Sequence, residues 1–409
     1  MRCLDTSLDI DKKIGLYCYM TSENLYLEPL EKLSHENFVV LEYLKHLGLA
    51  SQNYQPNYMM FSSVYDKLYL YILHKKDLDS LTAIKLMKKL FNSEKIYYLG
   101  LKDRSADTYQ FIGVYKPSNF SVYLKKDNIE TYFVGIYPKK LFSKKILLGN
   151  CFIITIPKLT SEEDRFREII EIIKKIGYLP NYYSYQRFGV RRNITHLLGR
   201  YIIEDRIDEL VNMMICYPHE SCDICEKCKK IYVKKSWSWI ERIICENLCI
   251  KKSSNMIELF KGVPRSIIRF YISAFFSYLF NLYVSKRWIK YGLVVENLDD
   301  EKLGSTYIGS KKLPYLMINV LKDGIKIYSG IKDLFEMIVQ QNLEVSYKDL
   351  YMNIKRYTGL KRFVLKRFII SPVENIRIDR DKLYFCLDKG GYATNLLREI
   401  FKKNIVKLL

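Results

Sequence analysis

Two stretches carry residues whose types and spacing could do chemistry. In YYLGLKDRSADTYQ, residues 97–110, Asp103 stands between Lys102 and Arg104, directly after an apolar and aromatic run. Cations beside a carboxylate favour its ionised form and can also hold a phosphate. The same residues equally describe a polar turn, with Asp103 accepting hydrogen bonds from nearby backbone N–H groups. In CYPHESCDICEKC, Cys216, His219, Cys222, Cys225 and Cys228 follow one another at intervals of three. Such spacing can gather thiolates and an imidazole around one zinc ion, but the run lacks the distant second pair of the usual structural sites. No metal ligand is assigned, and most of the 10 cysteines are read as reduced core thiols.

The acid must be positioned by the elements around it. Residues 67–74, KLYLYILH, alternate like a strand and run into a Lys-Lys-Asp turn. A helix should follow, capped by Asp79 or Ser80, with Leu81, Ile84, Met87, Leu90 and Phe91 on one buried face. Residues 95–99 read as a second strand ended by Gly100, and residues 110–115, QFIGVY, as a third. Residues 102–108 therefore form a loop between strands, where side chains can be aimed from a backbone pinned on both sides. Further on, residues 164–176 present Phe166, Ile169, Ile170, Ile172, Ile173 and Ile176 at helical spacing before Gly177, a good helix stop.

The chain has 409 residues, enough for two or three domains, and 49% of them are hydrophobic, which excludes disorder as a reading of the whole. Lys and Arg number 66 against 45 Asp and Glu, a formal charge of +21. A polyanionic partner follows, with nucleic acid foremost. The opening MRCLDTSLDIDKK has charges where a signal peptide needs an apolar core, so a cytoplasmic protein is expected. Residues 270–285 are the best candidate for a membrane span, but polar interruptions and a length short of roughly 20 residues make them a buried helix. No membrane association is expected.

The block Gly100-Leu101-Lys102-Asp103-Arg104-x-Ala106-x-Thr108-x-Gln110 resembles the signature of the tRNA pseudouridine synthase D (TruD) family. Other blocks follow in that family's order. Phe38-x-Val40-x-Glu42 resembles its F-x-V-x-E, and residues 181–189, NYYSYQRFG, resemble N-Y-F-G-x-Q-R-F-G with Tyr183 and Ser184 as departures. Residues 274–281, AFFSYLFN, resemble A-Y-Q-S-Y-L-F-N with Phe276 for glutamine, and residues 391–400, GYATNLLREI, resemble the C-terminal G-S-Y-A-T-x-x-L-R-E. Asp388-Lys389-Gly390 stands where the family often has a proline pair. The motifs lean toward the archaeal branch.

The resemblance implies an isomerase that turns uridine into pseudouridine at position 13 of the tRNA D arm, with no cofactor. It makes Asp103 the catalytic residue, either attacking C1′ or removing the 2′ proton of the ribose. The base must leave its stack to reach such an acid. Tyr183 is expected to stack on it and Asn181 to bond its edge. Lys102 and Arg104 would orient Asp103 or hold a phosphate, Gln186 and Arg187 would fix their loop or a phosphate, and Glu42 and Lys76 would lie near the site. Thr108 and Gln110 would organise the Asp103 loop.

The implied fold is α/β (α+β): a V-shaped two-domain protein whose pseudouridine synthase core, residues 1–189 and 367–409, has a mixed or antiparallel sheet and carries an inserted RNA-binding domain at 190–366. Doublets at Arg191-Arg192, Lys355-Arg356, Lys361-Arg362 and Lys366-Arg367, with Tyr357 and Phe363 between, suit an RNA surface on the insert. The expected partner is tRNA, bound by a monomer with no obligate protein partner. Two other readings stay open at this point: a catalytically silent RNA-binding protein, and an RNA N-glycosidase that releases free base.

Overall fold

The computed structural model describes residues 3–28, 34–54, 66–102, 104–156, 162–189, 192–219, 222–233, 239–293, 305–308, 311–329 and 331–408. Asp103 and Arg191 therefore lie outside the described residues. The chain divides into two compact units, each discontinuous: residues 24–179 with 371–409, and residues 1–23 with 180–370.

The first unit is built on an eleven-stranded mixed sheet, matching the α/β expectation. The strand–helix–strand run around the loop is as the residues predict. Lys67–Lys75 is a strand, Ser80–Leu90 a helix, Ser93–Tyr98 a strand and Asp107–Pro117 the next one. Asp79 caps the helix, accepting a hydrogen bond from the Thr82 N–H at 2.9 Å. The buried face differs at one position, because Leu81 is 50% exposed while Ser80 and Ala83 turn inward. The Asp107–Pro117 strand pairs antiparallel with Lys67–Lys75 and Ser93–Tyr98, and parallel with Phe38–Leu44 over Val39 to Leu41.

The Leu147–Thr155 strand lies between Phe38–Leu44 and Lys382–Asp388, both antiparallel to it. The end of the chain thereby completes a sheet that its beginning started. The packing there is close enough to require glycine, since a Cβ on Gly149 would stand 1.9 Å from the Leu387 carbonyl oxygen. Glu163–Ile176 is the expected helix and ends at Gly177 in the left-handed conformation, φ 79°.

The second unit is mainly helical, with a four-stranded sheet that includes Lys311–Leu321, Gly324–Tyr328 and Phe363–Phe368. Its axis is the 27-residue Arg265–Tyr291 helix. That helix is longer than the stretch 270–285 singled out in the sequence, and it is long and apolar enough to cross a membrane; 67% of its most apolar window is buried within the protein. Polar side chains four residues apart run along it and hold other segments in place. Ser277 accepts from Arg187, Asn281 donates to the Ile14 and Tyr183 carbonyls, and Ser285 donates to Gly15 and accepts from Tyr17. These bonds are why the first 23 residues fold with this unit. His196 packs between Phe188 and Tyr278, and burial lowers its pKa to about 3, so its ring is neutral.

The cysteine expectation is corrected. Four disulfides, Cys3–Cys18, Cys151–Cys386, Cys216–Cys222 and Cys228–Cys245, take up eight of the thiols. Cys151 faces Cys386 because the register of their strands puts them opposite.

The Thr195–Glu204 helix crosses the long helix at Gly199, where a Cβ would meet the Tyr271 carbonyl oxygen at 2.0 Å. Gly199→Val should force the helices apart and lower the unfolding free energy by about 3 kcal/mol, within the range for overpacking. Urea unfolding measures this, and a change no larger than that of an exposed-site control would mean the crossing is not tight.

Candidate active site

The loop residue before Asp103 is the best-anchored residue of the first unit's polar cluster. Lys102 donates its N–H to Ser80 Oγ at 2.8 Å, and the Ser80 hydroxyl donates to the Lys102 carbonyl at 3.0 Å. Its side chain is 5% exposed, with Nζ 3.0 Å from Glu42 Oε1 and donating to Asn150 Oδ1 at 2.6 Å. Strand geometry explains the convergence. Glu42 and Asn150 are direct partners across adjacent strands, so their side chains share one face of the sheet.

Glu42 is fully buried. Burial pushes its carboxyl above the usual carboxylate range, opposed by the Lys102 charge and hydrogen bond and by the Phe111 N–H, which reaches Glu42 Oε2 at 3.0 Å. Gly100 lies beside the pair, where a Cβ would stand 3.6 Å from Lys102 Nζ, an ordinary contact. Arg104 behaves differently: its side chain is 70% exposed and pairs loosely with Asp77 at 3.5 Å. Of the two cations flanking Asp103, one is a fixed internal charge and the other reaches solvent.

Where the loop rejoins the sheet, Asp107 bonds His74, which stacks on Tyr109 with ring centroids 4.0 Å apart. Lys76 lies 4.0 Å from Asp107. Thr108 and Gln110 are buried, and their side chains find no hydrogen-bond partner among the described residues. At the far end of the Lys382–Asp388 strand, Asp388 Oδ2 is similarly unbonded among the described residues. Burial, with the like charge of Glu374, raises the Asp388 pKa to about 6 against the pull of Lys389.

The 181–189 block sits in the second unit and forms its own constellation. Asn181 is nearly buried, accepting from Arg367 Nη2 at 2.6 Å and donating to the Phe368 carbonyl at 3.1 Å. Arg367 also donates to the Asn181 and Tyr182 carbonyls. Its guanidinium lies 4.1 Å from the centre of the Tyr183 ring, and the Phe280 ring meets Tyr183 edge-on at 5.6 Å. The Tyr183 backbone is held on both sides by Asn281. Arg187 turns toward the long helix, bonding Ser273 and Ser277 and lying over Phe270. Gln186 is exposed.

Of the basic doublets, Lys355, Arg356, Lys361 and Lys366 are exposed, while some of the arginines turn to groups of their own unit. Arg367 is buried against Asn181, Arg192 pairs with Glu241, and Arg362 donates to Asn319. Phe363 stacks on Phe276 and Tyr357 bonds Asp205, so both interleaved aromatics are internal. Such charges stabilise the unit's own polar groups. The residues missed in the sequence are Ser80, Asn150, Asn281 and Arg367. Asn281 ends the AFFSYLFN block and Arg367 belongs to a noticed doublet, whereas nothing local marks Asn150.

The fold has a counterpart of known structure. A crystal structure of a TruD protein from Methanosarcina mazei superposes with a TM-score of 0.67, covering 98% of this chain and 100% of its own at 20% identity. The model of the family described as tRNA pseudouridine synthase D (TruD) matches residues 13–309. Relatives bearing the name probable tRNA pseudouridine synthase D include that of Pyrococcus abyssi, 32% identical over 81% of this chain and 90% of its own length. That of Sulfurisphaera tokodaii is 28% identical over 85% and 89%, and that of Pyrobaculum islandicum 27% identical over 96% of each. The chain belongs to the tRNA pseudouridine synthase D family.

Removing one partner of the Glu42–Lys102 pair leaves the other charge buried and uncompensated. Glu42→Gln should cost about 3–5 kcal/mol in chemical unfolding, whereas the double change Glu42→Leu with Lys102→Met should recover most of it. Equal losses in both would remove the pair from its anchoring role.

Asp388 gives a pH signature. Its folded pKa, about 6, lies above the unfolded carboxylate value, so the native state binds more protons between pH 4 and pH 6 and stability falls as pH rises through that window. Asp388→Asn should flatten this slope and raise stability at pH 7 by about 1 kcal/mol, allowing for screening at a half-exposed group. An unchanged slope would mean that Asp388 titrates normally.

Proposed function

We propose that this protein isomerises uridine 13 of tRNA to pseudouridine, with Asp103 as the residue that acts on the ribose. The observation that carries the reading is the anchoring of Lys102, whose N–H and carbonyl are both held by the Ser80 hydroxyl and whose ammonium is held by Asn150 and Glu42. A loop so fixed immediately before an aspartate suits an acid that must meet one sugar carbon with little freedom. The reaction breaks an N-glycosidic bond, turns the base and forms a C–C bond to the same sugar. Its atoms balance without an added group, so none is called for.

Asp103 either attacks C1′ or takes the 2′ proton, and both routes need it ionised. Arg104, exposed beside it, supplies a charge for the RNA backbone. Lys102 and Glu42 act as positioning residues. Tyr183 backed by Arg367 offers an aromatic face with a cation behind it, which suits a base. Asn181 acts by holding that arginine, its amide being engaged on both sides. Gln186 and Arg187 support the same loop. The formal charge of +21 favours a polyanion such as tRNA, bound by a monomer in the cytoplasm.

The test is pseudouridine mapping on unmodified tRNA transcripts incubated with wild type and with Asp103→Asn. A single new pseudouridine in the D arm with wild type and none with the variant is expected. Equal modification by both would remove Asp103 from the chemistry. Binding without modification would make the chain a silent RNA binder, and release of free uracil would make it a glycosidase.

A further inference from the structure

The C-x-x-C run has a distant second pair after all. Cys225 and Cys228 stand one turn apart at the start of the Ile224–Val233 helix. Cys245 ends the Trp239–Cys245 helix, and Cys249 lies one turn beyond it, in the wider π turn Glu246–Ile250. The two helices bring these pairs face to face. Cys228 is joined to Cys245, and the Cys225 Sγ lies 2.6 Å from the Cys249 Sγ. Four sulfurs from C-x-x-C and C-x-x-x-C, 16 residues apart, thus face one another as two pairs across the same two elements. With Cys228 and Cys245 bonded, no three free donors stand together among the described residues.

We infer that in the reduced protein Cys225, Cys228, Cys245 and Cys249 hold one zinc ion. Two pairs from two elements are the donor set of a closed structural site, with sulfurs at about 2.3 Å from the metal. Each thiol gives its proton to solvent as its S–H bond is replaced by a Zn–S bond, four protons for one Zn²⁺, with no change of oxidation state. Lys227, Lys229, Lys230, Lys251 and Lys252 surround the pairs in sequence and offset the negative charge of four thiolates, although Lys230 and Lys251 also pair with Glu226 and Glu246. Cys228 and Cys245 are buried while Cys225 is exposed, so metal reaches the site from the Cys225 side. Cys216, His219 and Cys222 are outside the set, since Cys216 and Cys222 pair with each other ahead of the helix that carries Cys225 and Cys228. The ion would staple the two helices together.

The experiment uses the full chain, expressed with added zinc, purified with a thiol reductant and no chelator, and assayed for metal by mass spectrometry. About one zinc per chain is expected, lost in Cys225→Ser and in Cys249→Ser and kept in Cys222→Ser. Because a serine variant could misfold, Co²⁺ is also titrated into the metal-stripped wild type, where the spectrum of a tetrahedral four-sulfur site is expected. Absence of zinc with four disulfide-bonded thiols in this region would overturn the proposal. So would zinc retained by both Cys225→Ser and Cys249→Ser, metal lost equally from Cys222→Ser, or a cobalt spectrum without sulfur ligation.

Discussion

A charged lysine in a protein interior is tolerable only if its partners come to it, and Lys102 has drawn partners from across the first unit. Glu42 comes from one strand, Asn150 from its neighbour, and Ser80 from the first turn of a helix. Glu42 and Asn150 cannot shift without uncovering the ammonium, and Ser80 holds the backbone of the same residue, so strand register, helix position and loop path are coupled through one lysine. The surrounding polar residues reinforce this. Asp107 with His74, where the loop rejoins the sheet, closes the other end of the same connection.

The second unit solves a different problem with similar means. Its long helix is apolar enough to need covering, yet carries Ser277, Asn281 and Ser285 at four-residue intervals. Each satisfies backbone or side-chain groups of segments far away in sequence, so the polar stripe selects which segments cover the helix. Asn281 is the clearest case, serving Ile14 and both backbone groups of Tyr183. Arg367 then completes the fixing of residues 181–183 from the Phe363–Phe368 strand.

Local signals were legible in the sequence and long-range partners were not. The Asp79 cap, the Gly177 stop and the strand alternation of residues 67–74 depend on neighbours a few residues apart, and each shows in the residues themselves. The Glu42–Lys102 pair spans sixty positions, and an acid in a strand gives no sign of which lysine it will meet. The inward turn of Arg367 was hidden for the same reason: an arginine reads as solvated surface until a buried carbonyl or amide is known to face it, as Asn181 does here. Leu81 failed through geometry, since the small residues Ser80 and Ala83 turn in where the helix meets the sheet. The cysteine run looked incomplete because its counterpart lies on another helix.

Both units are assembled from separated pieces of chain, and this sets the order in which they can be completed during synthesis. The sheet of the first unit holds Leu147–Thr155 against Lys382–Asp388, so it stays one partner short until residues 382–388 have been made. The second unit needs residues 1–23, the earliest to emerge, and residues up to 370. The ribosome thus delivers the start of each unit long before its end. The second unit has these parts before the first does, and the first waits for residues 371–409, with its earlier strands exposed in the interval.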